Sequence, residues 1–494
     1  YMKSESLGAA RDKYELTGYP YLNIGSEDFQ TNSGTGSEYT SNSVFGRVIY
    51  SYADRYLFQA NVRHDGSSRF AKGYRWGTFP SFSAGWVASE EKFMKNLKWD
   101  WLSFLKLRGS WGMLGNERIG SNYFPYIALM SFGNSLFYMA DGSVVSDKTA
   151  RPAVLAVEDI TWETTTSTDL GLDVNFLNNR LQFHFDYYWK ETKDMLLNIE
   201  IPYFMGYNNP STNAGKMSTH GYDIEVAWND QIGDFKYGVN VNFSDFLSKI
   251  DYMNDGEQIS GGKIKRAGVL FNEFYGYVCE GIYQTQEEVN NSARTSTTVT
   301  VGDLKYRDIS GPDGVPDGVI SPEYDRVPLG NSLPRFQYGG SLNASYKGID
   351  FSLAFQGIGK QNSYLSTSMV QPLRDNYGNV PAILEGKYWS PFNTTEENLA
   401  AKYPRLSNVS KSNNYATSNF WMFNGSYFRL KNITLGYTLP KSWTQKAGIN
   451  RARFYVSGSD LFCLSNFPSG WDPEMGTSDY PITTSLVMGI QVNF

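Results

Sequence analysis

Apolar and polar side chains alternate along much of this chain with a period of two. From Ile482 to Phe494 the even positions read Ile482, Thr484, Leu486, Met488, Ile490, Val492 and Phe494. The odd positions read Thr483, Ser485, Val487, Gly489, Gln491 and Asn493. Such a repeat places one greasy and one polar face on a strand, whereas a helix would repeat every 3.6 residues. Leu170, Leu172, Val174 and Phe176 alternate in the same way with Gly171, Asp173 and Asn175. Leu181–Trp189, Tyr222–Trp228 and Ile349–Phe355 repeat the pattern. Strands are predicted near 44–53, 56–65, 79–88, 102–113, 163–177, 180–192, 216–229, 235–247, 335–347, 349–359, 424–438, 450–464 and 482–494.

Alternation alone does not separate a soluble sandwich from a membrane barrel, because either buries its apolar face. Length and spacing do. The strands run about 10–14 residues, nearer to a membrane strand than to the soluble mode of about 5–6. The connections alternate in size: Ala53–Arg55, Ser89–Trp101, Asn178–Asn179, Asp230–Asp234, Lys347–Gly348 and Pro440–Ile449 are short or modest. Those at 66–78, 114–162, 193–215, 248–334, 360–423 and 465–481 are mostly long. Short turns on one side and long loops on the other mark an outer-membrane barrel, with the long loops outside the cell. The expected fold class is therefore all-β, a transmembrane antiparallel β-barrel.

Composition agrees once this is allowed for. Mean hydropathy is −0.42, net charge is −6 and 41% of residues are hydrophobic. These values would suit a soluble acidic protein, but 16% of the chain is aromatic and Tyr alone occurs 35 times. In a barrel only every second strand residue meets lipid, so hydropathy stays low. No apolar run approaches the roughly 20 residues of a membrane helix. The mild acidity, without a Lys/Arg-rich run, argues against a nucleic-acid partner. Cys279 and Cys463 lie in unrelated contexts and imply neither zinc nor a disulfide framework.

About thirteen strands is an odd count, and an unclosed sheet in lipid would leave a prohibitive row of unpaired backbone groups. With Phe494 in the periplasm, stepping back through the strands puts residues 1–43 outside the cell. The expectation is a C-terminal part of a larger barrel: residues 1–43 as an extracellular loop segment, with Thr31–Ser43 reading as a flexible Gly/Ser/Thr stretch, and 44–494 as barrel with long extracellular loops.

Several motifs resemble the SusC/RagA family of TonB-dependent outer-membrane transporters. They include Val44–Tyr56 (VFGRVIYSYADRY), Val62–Phe70 (VRHDGSSRF), Arg75–Trp86 (RWGTFPSFSAGW), Leu105–Asn116 (LKLRGSWGMLGN) and Ile160–Asp173 (ITWETTTSTDLGLD). Phe176–Tyr188, Phe274–Glu287 (FYGYVCEGIYQTQE), Gly425–Pro440 (GSYFRLKNITLGYTLP) and Phe454–Leu461 continue in family order. The resemblance implies a barrel of twenty-two strands, of which thirteen are here, with plug domain and TonB-contacting segment absent from this chain. It implies active import of oligosaccharides or oligopeptides, not catalysis. The implied partners are a SusD-like lipoprotein lid, TonB–ExbB–ExbD through the missing N-terminal part, the barrel-assembly machinery and the bilayer. The alternative is a barrel scaffold or adhesin that transports nothing.

Candidate sites follow. Trp76, Phe79, Phe82 and Trp86 suit an interfacial aromatic belt. The ending, with Gly489, Val492 and Phe494, resembles the C-terminal signal read by the assembly machinery, although Val487 stands where a polar residue is expected. Asp308, Asp313, Asp317 and Asp325 resemble the family's Asp-rich, calcium-loop-like segment; carboxylates around Gly turns can wrap a hard cation. Pro312 and Pro316 interrupt regular ligand spacing and favour a solvated turn. His64, His184 and His220 lack metal spacing and read as barrel-wall residues. Tyr123–Tyr138, Tyr203–Tyr207 and Asn413–Trp421 mix aromatics with small polar residues, chemistry that suits sugar rings or peptides, or else self-packing of loops and contact with the lid.

Overall fold

The computed structural model describes residues 1–14, 18–19, 21–97, 99–119, 123–128, 130–254, 256–373, 378–476 and 480–494. Its principal element is one thirteen-stranded antiparallel sheet. In chain order the strands are β1 (Ser41–Tyr52), β2 (Tyr56–Ser67), β3 (Trp76–Val87), β4 (Leu102–Asn116), β5 (Glu163–Phe176), β6 (Leu181–Asn198) and β7 (Ser211–Ile232). They continue as β8 (Phe235–Met253), β9 (Arg335–Tyr346), β10 (Ile349–Lys360), β11 (Tyr427–Thr438), β12 (Arg451–Ser465) and β13 (Ser485–Asn493). Each strand pairs only with its sequence neighbours within this sheet, so it is a pure meander with β1 and β13 at its two edges. All thirteen expected strands are present. Among the described residues the sheet is not closed on itself.

The short connections are built for reversal. Lys347 (φ 44°) and Gly348 (φ 91°) form a two-residue link with both residues left-handed, the geometry whose twist matches a hairpin. A Cβ on Gly348 would lie 2.7 Å from the Thr438 carbonyl oxygen, so the neighbouring connection requires glycine there. Leu177, Asn178 and Asn179 are all left-handed between β5 and β6. A modest connection, 88–101, carries the helix Lys92–Asn96.

On the opposite side β6, β7 and β8 reach 18, 22 and 19 residues, well beyond the lengths expected from alternation. Their outer ends pack in part against loop residues, with Ile250 and Met253 buried beside Leu197, Ile264 and Tyr275, so a two-sided lipid-and-water alternation no longer marks them. The Thr31–Ser43 stretch also departs from the flexible segment expected. Met2–Arg11 pairs with Gln30–Tyr39 over ten residue pairs, so much of the Thr31–Ser43 stretch is strand. Both faces of this hairpin are largely exposed, and backbone pairing without a buried side leaves no hydrophobic pattern to read. A second external hairpin pairs Met130–Tyr138 with Val144–Pro152.

The largest hydrophobic core lies outside the sheet. Segments 254–334 and 361–426 enclose Tyr277, Leu304, Tyr306, Ile320, Met369, Val370, Leu384 and Trp421 in a single cluster. Within it Tyr277 and Tyr306 stack at 4.9 Å, and Trp421 stacks on Tyr415.

Candidate functional site

Strand register fixes which side chains share the inward face. Lys106 lies opposite Asp173, and Asp173 lies opposite His184. Arg108 lies opposite Gly171, Gly171 opposite Asp186, and Asp186 opposite Asp223. Arg108 donates to Asp186 at 2.6 Å and to Asp173 at 3.2 Å, and stands 3.7 Å from Asp169. A Cβ at Gly171 would lie 2.4 Å from the Arg108 guanidinium carbon, so glycine makes the room this group occupies. His184 Nδ1 lies 3.0 Å from Asp173. Asp186 and Asp223 are directly cross-strand like charges, an arrangement that destabilises a sheet unless a cation intervenes. Arg108 supplies that cation to Asp186.

Beside this charged centre the inward face is rich in amides and hydroxyls. A groove of about 860 Å³ is lined by Gln59, Asn61, Arg63, Ser81 and Ser110, together with Phe79 and Trp162. Another, of about 650 Å³, is lined by Glu225, Asn240, Asn242, Gln337, Gln356 and Tyr427. The amides and hydroxyls among them both donate and accept, and Arg63 and Glu225 add a charge of each sign, which suits a polar ligand. A third groove, of about 750 Å³, is lined by Leu435, Phe454, Val456, Met488 and Ile490. These residues hold the outward positions of their strands, so this groove belongs to the lipid side.

Above the sheet, the two long loops meet at a buried polar node. Asp303 is fully buried. Its carboxylate accepts from Arg405 Nε (2.7 Å), Ser410 Oγ (3.0 Å), Asn414 Nδ2 (2.8 Å) and the Thr300 N–H (2.9 Å). Asn414 Oδ1 accepts from the Leu304 N–H, and Asn413 Nδ2 donates to the Leu304 carbonyl, each at 2.9 Å. Tyr306 donates its hydroxyl to the Asn413 carbonyl at 2.6 Å. Burial pushes the Tyr306 phenol well above its ordinary range. Nearby, burial raises the Cys279 thiol to about 11 and the Tyr364 phenol to about 12. Every polar atom named at the Asp303 carboxylate is satisfied, which is the condition under which a buried network rigidifies a fold.

The residues singled out in the sequence fall in different places. Asn413, Asn414 and Trp421, read as candidate ligand-binding surface, are buried in the loop core; self-packing, the other reading of that segment, is what occurs. Tyr203 and Phe204 are 98% and 88% exposed at a loop tip. Tyr123 lies under the Arg69 guanidinium, 4.6 Å from its ring centre; residue 129 of the Tyr123–Tyr138 segment is outside the described residues.

The aromatic belt divides. Trp76, Phe82 and Trp86 share the outward face of β3, but Phe79 has the opposite parity and is buried against Trp162, with Phe70, Ile119 and Ile160 in the same cluster. Trp76 and Trp86 stand ten residues apart, about 33 Å along a strand. One interfacial girdle would not hold both. Trp76 stacks on His64 at 4.8 Å. Trp86 donates its indole N–H to Glu91 at 3.2 Å, and Glu91 also accepts from Tyr56 (2.5 Å) and Arg55 (2.8 Å).

In the Asp-rich loop, Asp325 is fully buried and accepts backbone N–H groups from Ile309 (2.7 Å), Ser310 (3.2 Å) and Ser321 (2.7 Å). Asp308 accepts from the Gly318 N–H and Asp317 from the Val319 N–H. These carboxylates staple the turn, and Asp313 is exposed. Among the described residues no three acidic, His or Cys groups converge as a metal site requires. At the end of the chain, Gly489 faces Tyr455, whose ring would meet a Cβ there at 2.5 Å, and Phe494 is exposed.

The Arg108 cluster was not singled out from sequence. Its signal was present: Arg108, Asp169, Asp173, Asp186 and Asp223 all sit at polar positions of alternating strands, but only register shows that they meet.

Comparison with known proteins agrees with this architecture. The family model described as TonB dependent receptor-like, beta-barrel matches residues 5–457. TonB-dependent receptor P3 of Formosa agariphila is 31% identical over 92% of this chain and 45% of its own length. TonB-dependent receptor SusC of Bacteroides thetaiotaomicron is 30% identical over 92% of this chain and 43% of its own. The chain thus spans about half the length of the curated relatives it matches. The solved structure of the RagAB peptide transporter superposes with a TM-score of 0.79 at 23% identity, covering 100% of this chain and 52% of that one, a likeness of fold. The chain belongs to the TonB-dependent receptor β-barrel family, has SusC among its relatives, and forms barrel wall in an outer membrane.

Proposed function

We propose that this chain forms the far wall and much of the substrate-facing loop surface of an active importer for oligosaccharides or oligopeptides. Strands outside the thirteen described here close the cylinder against β1 and β13. A SusD-like lipoprotein caps the loops, and TonB–ExbB–ExbD energises release of the substrate through the barrel. The observation that carries this reading is the inward face itself. It combines amide and hydroxyl grooves with paired charges, while the outward face is apolar, and a rigid loop unit stands above it. The names of the relatives, among them SusC and the RagAB peptide transporter, support the same reading.

The test is uptake by cells carrying the full-length protein, offered labelled neutral oligosaccharides and labelled oligopeptides in parallel. Import of one class that stops when TonB is deleted is expected. Import that persists after TonB loss would count against active import, and import of neither class would favour the scaffold reading.

A further inference from the structure

One extracellular connection does not stay above the sheet. The segment 466–476, which follows β12, turns back over the inward face and reaches two strands beyond its own origin. Glu474 accepts from Gln356 Nε2 at 2.9 Å, and Gln356 is an inward residue of β10. Asp472 accepts from Arg429 Nη2 through both oxygens at 2.7 Å, and Glu474 lies 2.5 Å from Arg429 Nε. Lys431 completes the group, 2.7 Å from Asp460 and 3.5 Å from Glu474. Arg429 is 3% exposed and Asp472 7%.

Two bases and three carboxylates meet here, and two of the acids come from the returning segment. A buried pair of this kind holds firmly, because parting it strands a desolvated charge on each side. Arg429 Nη2 reaches both Asp472 oxygens, a charge-assisted contact stronger than a neutral one. Gln356 is at once a contact of Glu474 and a lining residue of the amide-rich groove, so the segment borders that groove.

From this geometry we infer that residues 466–476 are an inward-folded constriction of the passage, latched to the wall by Arg429 as positioning residue. The inference rests on the transport reading for the word passage, while the latch itself does not depend on it. Removing Arg429 leaves Asp460, Asp472 and Glu474 facing Lys431 alone, and their repulsion lifts the segment.

Glutamyl endopeptidase added to intact cells bearing the full-length protein reads the latch through the bond after Glu474. The native protein is expected to resist cleavage there. Arg429→Gln and, in the loop itself, Asp472→Asn are each expected to raise the cleavage rate by about ten-fold or more, since local opening controls access. Unchanged cutting after the exposed Glu5 and Glu396 confirms that either variant is folded. Equal rates after Glu474 in native protein and in both variants would overturn the latch. A released segment should also shift the half-saturating concentration for uptake at constant surface amount; unchanged uptake with a released segment would overturn the constriction. If the native protein imports nothing, the cleavage result still stands and only the transport reading fails.

Discussion

Asn414 donates an amide hydrogen to Asp303 at 2.8 Å across 111 positions of chain, and this contact joins two loops that leave the barrel from different strands. Asp303 is also the acceptor for Arg405. Asp303→Ala therefore leaves a guanidinium without its partner and is expected to cost about 3–5 kcal/mol within the loop unit. Hydrogen exchange should quicken across residues 300–306 and 410–421 while β4–β8 stay protected. Equal loss of protection in the barrel strands would show that the unit is not separable from the wall.

Phe79 and Phe82 stand three residues apart on β3 but face opposite sides. Phe79→Ala opens a hole beside Trp162 and Phe70, at an expected cost of about 3–5 kcal/mol. Phe82, 46% exposed on the outward face, should cost much less when truncated. Thermal loss of the folded form in detergent, followed by gel mobility, ranks the two variants. A larger effect at Phe82 would contradict the assignment of faces.

The hydrogen bond from the Tyr56 hydroxyl, helped by Trp86 and Arg55, holds the Glu91 carboxyl below its ordinary range. A depressed folded value means that the contribution is complete above the unfolded carboxyl range near 4.3 and fades as pH falls through the folded value. Exchange protection of residues 88–97 should accordingly drop below about pH 4. Glu91→Gln should remove that pH dependence, and its persistence would assign the effect to another group.

Burial raises Cys279 to about 11, so the thiol is protonated at neutral pH. Alkylation by iodoacetamide, followed on the Cys279 peptide by mass spectrometry, should be slow at pH 7 and rise about ten-fold per pH unit toward the thiol's own value. A rate already at its plateau by pH 8 would refute this.

Asp325 holds three backbone N–H groups, so Asp325→Asn should loosen residues 308–321 by hydrogen exchange. The loss is expected to be the same with calcium and with a chelator present. Protection restored by calcium would instead reveal a cation site among these carboxylates.

The barrel wall was legible because lipid and an aqueous interior impose opposite demands on neighbouring residues, and that contrast survives in Leu181–Trp189 or Ile482–Phe494 without any structure. Faces were legible wherever parity was respected; Phe79 was misplaced when ring chemistry was followed in preference to position. Contacts between strands were not legible, since Arg108 and Asp186 look alike in sequence whether or not register joins them. The loop core was hidden for a different reason. Asn413 and Asn414 carry the composition of an exposed binding segment, and only their hydrogen bonds to Asp303 and Leu304 show that they are interior residues. Pairing in Met2–Arg11 and Gln30–Tyr39 left no trace because neither face is shielded from water.

The shared core of segments 254–334 and 361–426 bears on how such proteins can be re-engineered. Grafting either loop alone from a relative would set foreign side chains against Trp421, Leu304 and the Asp303 carboxylate. Chimaeras should therefore tolerate exchange of both segments together far better than exchange of one. The same pairing restricts natural diversification, since a change in one loop's interior has to be matched by the other before either can vary its outer surface freely.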